Sequence, residues 1–347
     1  MKELFGFLFL FPLLLSGPNN LYGQQENTKR EYKILQKQLQ EAQKHAEYPK
    51  RIAQSHLKLG AYYHDLGLYT EAIAQYSAAL ELLGSNLQDS LNITLNNNIG
   101  KVYLSLNNFE LAEQHFEETR LASEKLKDDK GLAVSLGLLG ASHEKQAEYE
   151  AALKDQKQSL ELFQKLGDDF GVAMTNENMG SIYEDLEQFY LAHQYFQQSY
   201  DYLQGTRTVA EINVLNNIGD SFRKRGDYQS GLEYTRKALE LAKELNDLHQ
   251  LESAYKDLSK NYALMENYEE AHSHLLLAEK YNNEMLTAQN YDQLNMLQTI
   301  YETNKKEAEI QLLKEQNKVS VANQNLLWVA LFAIAVIFII VYYYMGR

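Results

Sequence analysis

Paired amides are the first residues in this chain whose type and spacing suggest chemistry. Asn97-Asn98 and Asn216-Asn217 are adjacent pairs, and Asn178 stands between them in the sequence. A carboxamide offers both a donor and an acceptor, so a spaced set can pair with a ligand's peptide groups whatever its sequence. The other reading is a solvated helix face, although Asn is a poor helix former and its recurrence asks for a reason. Catalytic chemistry finds no comparable constellation. His143-Glu144 lacks the second His that a zinc hydrolase needs. His272 and His274 are two apart, so on a helix they face away from each other. Carboxylates are many but spread along helix faces, and no glycine-rich phosphate loop occurs. Asn92-Ile93-Thr94 is a glycosylation sequon only in a glycosylating host. A binding protein is expected, without enzyme activity, metal or cofactor.

Helices must position these amides. The prolines are Pro12, Pro18 and Pro49 alone, and no glycine lies between Gly231 and Gly346. A sandwich or barrel needs many Gly/Pro turns, so the fold class is all-α. The chain has 33 Lys+Arg against 47 Asp+Glu, a net charge of −14, which argues against a nucleic-acid partner. It has no cysteine, which removes disulfides, thiol catalysis and Cys-ligated metals and fits a bacterial envelope protein.

The elements repeat. Leu59-Gly60, Ile99-Gly100, Leu139-Gly140, Met179-Gly180, Ile218-Gly219 and Leu258-Ser259 recur at steps of 40, 40, 40, 39 and 40. Three residues on come Tyr63, Tyr103, His143, Tyr183, Phe222 and Tyr262, and further on Ala72, Ala112, Ala152, Ala192, Gly231 and Ala271. Just before that last column stand Tyr69, Phe109, Tyr149, Phe189, Tyr228 and Tyr268. Small residues let antiparallel helices approach, aromatics fill the gap to the next pair, and Gly67, Asn107-Asn108 and Gly226-Asp227 supply turns.

These columns resemble the tetratricopeptide repeat over residues 53–284. The resemblance implies an α-solenoid of about six helix-turn-helix units whose open ends need caps. One cap is expected within residues 24–52 and another in the helix carrying Leu297 and Tyr301. Departures are Ser259 and His143 in the columns above, and Gln156 and Thr235 in the core. The family's helix-ending Pro is replaced by Gly84, Glu124, Gln164, Gln204, Lys243 and Asn283. The second helix should therefore run on, giving a period near 40 where about 34 is usual.

Counting the first unit from Ala53, positions 4, 7, 8 and 11 share the packing face. Positions 2, 5, 6, 9, 12 and 13 lie opposite, and the resemblance implies that they line a concave groove for an extended or helical peptide. The candidate groove residues are Asn97, Asn98, Lys101, Glu177, Asn178, Asn216, Asn217, Arg223, Lys256 and Lys260, beside Lys224, Glu184 and Asp185. The cations of units five and six predict a partner with an acidic part there. A full clamp for a terminal carboxylate is missing, because the first unit offers only Lys58.

Both ends are apolar. The run over residues 4–15 is too short to cross a hydrocarbon core and reads as part of a signal peptide over residues 1–23, or as an uncleaved anchor. Residues 326–344 carry no charge, Gly or Pro, with Trp328 at one end and Tyr342, Tyr343 and Tyr344 at the other. That is a transmembrane helix with aromatic belts. A single-pass protein of the bacterial inner membrane is expected, its bulk outside the cytoplasm and residues 345–347 inside. Over residues 285–325, Leu294, Leu297, Tyr301, Ala308, Leu312, Val319, Ala322 and Leu326 follow steps near 3.5, with polar Asn304 and Glu315 on the same seam, as in a coiled-coil stalk that could form a homodimer or in a monomeric exposed helix. This layout resembles the extracytoplasmic half of bacterial sensors with such repeats. Two functions fit it: a sensory module engaging protein or peptide partners, or a scaffold for an envelope assembly.

Overall fold

One backbone position in each repeat decides where a helix pair bends. Gly67, Asn107, Ala147, Glu187, Gly226 and Glu266 all take positive φ, between 57° and 85°. Only two of the six are glycine, so the others accept a left-handed conformation that costs about 1–2 kcal/mol each. The turn's hydrogen bonds offset that cost: Asn108 N–H donates to Tyr103 O at 2.9 Å, and Gln188 N–H to Tyr183 O at 2.8 Å.

The computed structural model describes residues 19–84 and 89–345, and among these it is all-helical. The order is α1 (Asn19–Gln43), α2 (Pro49–Asp65), α3 (Tyr69–Leu83), α4 (Ser90–Ser105), α5 (Phe109–Leu126), α6 (Asp129–Lys145) and α7 (Tyr149–Leu166). Then follow α8 (Asp169–Asp185), α9 (Phe189–Leu203), α10 (Val209–Lys224), α11 (Tyr228–Leu245), α12 (Leu248–Leu264) and α13 (Tyr268–Met345). Most of the expected signal peptide, residues 1–18, lies outside the described residues, as do residues 346–347. The side chains of Tyr342, Tyr343 and Tyr344, the second aromatic belt, do so too.

Five of the six first helices are capped alike. Asp89, Asp128, Asp168, Thr208 and Asp247 accept bonds from backbone N–H groups of the first turn of α4, α6, α8, α10 and α12. Such caps typically contribute about 1 kcal/mol each and fix where each unit begins. The glycine column works as a seat for a side chain from the second helix. A Cβ on Gly60, Gly100 or Gly180 would lie 2.4 Å from the ring of Tyr76, Phe116 or Phe196. In the third unit Gln156 takes the ring's place over Gly140, fully buried, and donates to Gly137 O at 2.9 Å. Thr235 does the same over Gly219. The polar departures in the core therefore keep the spacing of the helices while changing what fills it.

The chain divides into two units after Asp292. In the first, α1 covers α2 with Tyr32, Leu39 and Ala42 buried, and α13 completes the sixth pair with Ala271, Ala278 and Ala288 buried. In the second, α13 is long and apolar enough to cross a membrane by length and composition, with Leu326, Trp328 and Phe332 all strongly exposed. Leu297 and Tyr301, expected on a capping helix, are both exposed on α13, which runs on without a break from the sixth pair. Without the helix-ending proline nothing interrupts the ladder of backbone bonds.

Candidate functional site

Curvature follows from which helices touch. The first helices of successive units contact each other, α2 with α4, α4 with α6, α6 with α8 and α10 with α12. Among the described residues the second helices show no such succession, so the first helices form the inner wall. A hollow of about 260 Å³ opens on that wall between α4 and α6, lined by Thr94, Asn97, Asn98, Lys101, Lys130 and Val134.

The wall sorts the candidate amides into two kinds. At position 6, Asn98, Asn178 and Asn217 are half-buried. Asn217 donates to Glu177 Oε1 at 3.0 Å and so ties α10 to α8. Asn98 and Asn178 have no side-chain partner among the described residues. At position 5, Asn97 and Asn216 are buried and turned into the structure. Asn97 accepts from Thr119 Oγ1 at 2.6 Å, so it holds α4 to α5. In the fifth unit Ala238 occupies the repeat position of that threonine, and Asn216 Oδ1 is buried without a protein partner. The helix pair thus engages the Asn97 carbonyl, while the residue still lines the hollow between α4 and α6.

Charged groups divide the same wall. At the α10–α12 end, Arg223 Nε donates to Asp220 Oδ1 at 2.8 Å, and Lys224 lies 2.9 Å from Glu184 and 3.1 Å from Asp220. Lys260 pairs with Asp257 at 2.9 Å, and Lys256 with Glu252 at 3.6 Å. Burial opposes ionisation of Asp220, yet Arg223 and Lys224 hold its carboxyl below the ordinary range. The basic surface expected here is thus neutralised by its own neighbours. In the α6–α8 section, burial pushes Glu144 and Glu177 up to about 7. Asn217 moderates Glu177, whose second oxygen is buried and unpartnered. Lys145 opposes that rise at Glu144 without forming an ion pair, and Asp185 adds a smaller repulsion. Desolvation lowers the Lys101 amine against the pull of Asp65, although the residue itself is exposed.

Sequence reasoning passed over Glu144, Asp220 and Asp257 as wall residues. They fall at positions 12, 9 and 6 of their units, so the counting that found the asparagines also reaches them. It missed them because Glu144 was weighed only as a metal-motif partner.

The outer face carries a second cleft, about 720 Å³, between α5 and α7. There the aromatic stacks of other units, Tyr103 on His115 and Tyr183 on Tyr195, give way to His143 bonded to Asp155 at 3.1 Å. His274 Nδ1 lies 2.8 Å from Glu270 O, and its ring packs near Tyr262. No group of three or more His, Asp or Glu side chains suited to a metal occurs among the described residues.

Comparison with known proteins agrees on the fold. No curated protein matches the sequence. Among solved structures, a Rap protein complexed with competence and sporulation factor is similar at TM-score 0.53 and 14% identity, over 78% of this chain and 87% of that one. The Rap conjugation gene regulator of plasmid pLS20, in complex with the Phr* peptide, is similar at TM-score 0.54 and 14% identity, over 70% and 76%. A signal-transduction ATPase with a tetratricopeptide repeat sensor from Pyrococcus horikoshii is similar at TM-score 0.54 and 17% identity, over 75% of this chain and 41% of that one. The sequence profile of the tetratricopeptide repeat matches residues 51–125, 131–204 and 210–281, more than half of the chain. The chain belongs to the tetratricopeptide repeat family.

Proposed function

We propose that this protein binds protein or peptide partners along the inner wall of its solenoid, as a membrane-anchored module with a sensory role. The observation that carries the reading is the row of position-6 amides, with Asn98 and Asn178 unengaged on a wall whose other polar groups are mostly paired. A half-buried amide without a partner forgoes a bond that a ligand's backbone could supply. Rap proteins of the same fold in complex with peptide ligands support the reading. The exposed apolar stretch of α13 from Leu326 supports anchoring in a bilayer.

The test is retention of labelled random decapeptides by the full-length chain, against an Asn98→Ala, Asn178→Ala, Asn217→Ala variant. Loss of retention with an unchanged melting temperature is expected; equal retention by both chains counts against the groove. Resistance to alkaline carbonate extraction from membranes checks the anchor, and release into the supernatant refutes it.

A further inference from the structure

The first and sixth helix pairs share a hollow that holds none of the wall amides. It measures about 560 Å³, lined by Asp65 and Leu66 at the end of α2, Asp247 and Leu248 at the start of α12, and Met285 and Asp292 on α13. Small-molecule sites occupy about 300–1,000 Å³, so the hollow has room for a ligand. Among the described residues no lysine or arginine lines it, and His249 is its one basic residue. Asp292 is only 9% exposed, yet it forms no hydrogen bond or ion pair among the described residues. A carboxylate taken out of water is costly unless a donor or a cation meets it. Burial accordingly raises its carboxyl above the ordinary range. Asp247 uses one oxygen for the α12 cap, accepting from Gln250 N–H at 3.0 Å, and its other oxygen is left over. Asp65 is exposed, 3.6 Å from His64.

We propose that this hollow binds a linear aliphatic polyamine, with one ammonium group against Asp292 and a second against Asp247 or Asp65. The inference goes beyond peptide binding and does not depend on it. The three acids do not converge as metal ligands do, since no group of three or more His, Asp or Glu suited to a metal occurs among the described residues. A compact cation therefore cannot meet all of them, whereas ammonium groups spaced along a chain reach several. The methylenes between those groups cover Leu66, Leu248 and Met285, and removing that apolar surface from water favours binding. A primary ammonium is a compact charge with three donors, so one end supplies what Asp292 lacks. A cleft lined by one sign of charge also concentrates counter-ions.

Isothermal titration calorimetry of the full-length chain in detergent, with spermidine, n-butylamine and magnesium chloride as probes, tests this. Spermidine is expected to bind saturably at one site, at least about tenfold more tightly than either other probe. Asp292→Asn should weaken spermidine by at least about tenfold, and Asp247→Asn, which keeps the cap, by at least about threefold, both with unchanged melting temperatures. Glu161→Gln removes an equal charge from the exposed face of α7 and should change affinity by less than about twofold. Equal weakening by Glu161→Gln and Asp292→Asn overturns the site, because binding then follows net charge alone. Absence of saturable binding, or tighter binding of magnesium than of spermidine, also overturns it. Nα-acetyl-lysine methylamide binding as tightly as spermidine overturns the polyamine in favour of a partner's lysine side chain.

Discussion

The α6–α8 and α10–α12 sections of the inner wall are built from the same repeat, yet they treat buried charge in opposite ways. At α10–α12 every strong cation meets an acid, and the cluster of Glu184, Asp220, Arg223 and Lys224 closes on itself. At α6–α8 Glu177 keeps one carboxylate oxygen buried without a donor, and Glu144 forms no ion pair among the described residues. The number of charged residues therefore says little about what a groove binds; the charges left over after internal pairing decide it.

That difference predicts opposite signs for the same kind of substitution. The largest effect belongs to the middle. Both Glu144 and Glu177 bind a proton more tightly folded than unfolded, so their contribution falls as pH rises from 4.5 towards about 7. Glu144→Gln with Glu177→Gln should raise stability at pH 8 by on the order of 3 kcal/mol and flatten the fall between pH 5 and 8. Thermal melts of both chains across that range check this, and an undiminished slope in the variant breaks the comparison.

Next in size is Asp220→Asn at the other end. It leaves Arg223 and Lys224 short of a counter-charge in a half-buried cluster and should cost about 1–3 kcal/mol. Chemical denaturation at pH 7 reads this directly, and a stabilised variant means the cluster is not mutually supporting. Asn217→Leu lies between the two sections. It removes the donor to Glu177, raises that carboxyl further, and should cost about 1 kcal/mol at pH 8 and less at pH 5. The smallest effect belongs to Lys256→Glu with Lys260→Glu. Their ammonium groups are half-exposed and salt-screened, so stability should change by under about 1 kcal/mol. Retention of the labelled random decapeptides should change by less than about threefold. A collapse of binding in that variant would restore the basic end as the ligand's anchor.

Much of this was legible before any coordinates. The 40-residue columns announced helix pairs, the glycine column announced where they touch, and Asn108 and Asp227 were recognisable as turn residues that cap α5 and α11. Their capping role is local, set by a short side chain reaching the next turn's N–H groups. Asn97 and Asn98 show where such reading stops. They are adjacent and chemically identical, but a helix turns about 100° per residue. One amide therefore meets Thr119 on α5 while the other stays at the wall. The Lys256 and Lys260 expectation went astray for a similar reason, because Glu252 and Asp257 are one helical turn away and claim both charges.

The sequence by itself determined the all-α class, the period, the family and the apolar stretch at the end of the chain. Those depend on residue type and spacing, which helical geometry converts into faces without reference to distant segments. Tertiary structure alone decided which wall residues remain unmet. Glu177 is answered by Asn217 from the next repeat, and Glu184 by Lys224. Each of those encounters joins residues about 40 positions apart, and only the stacking of one helix pair on the next brings them within reach.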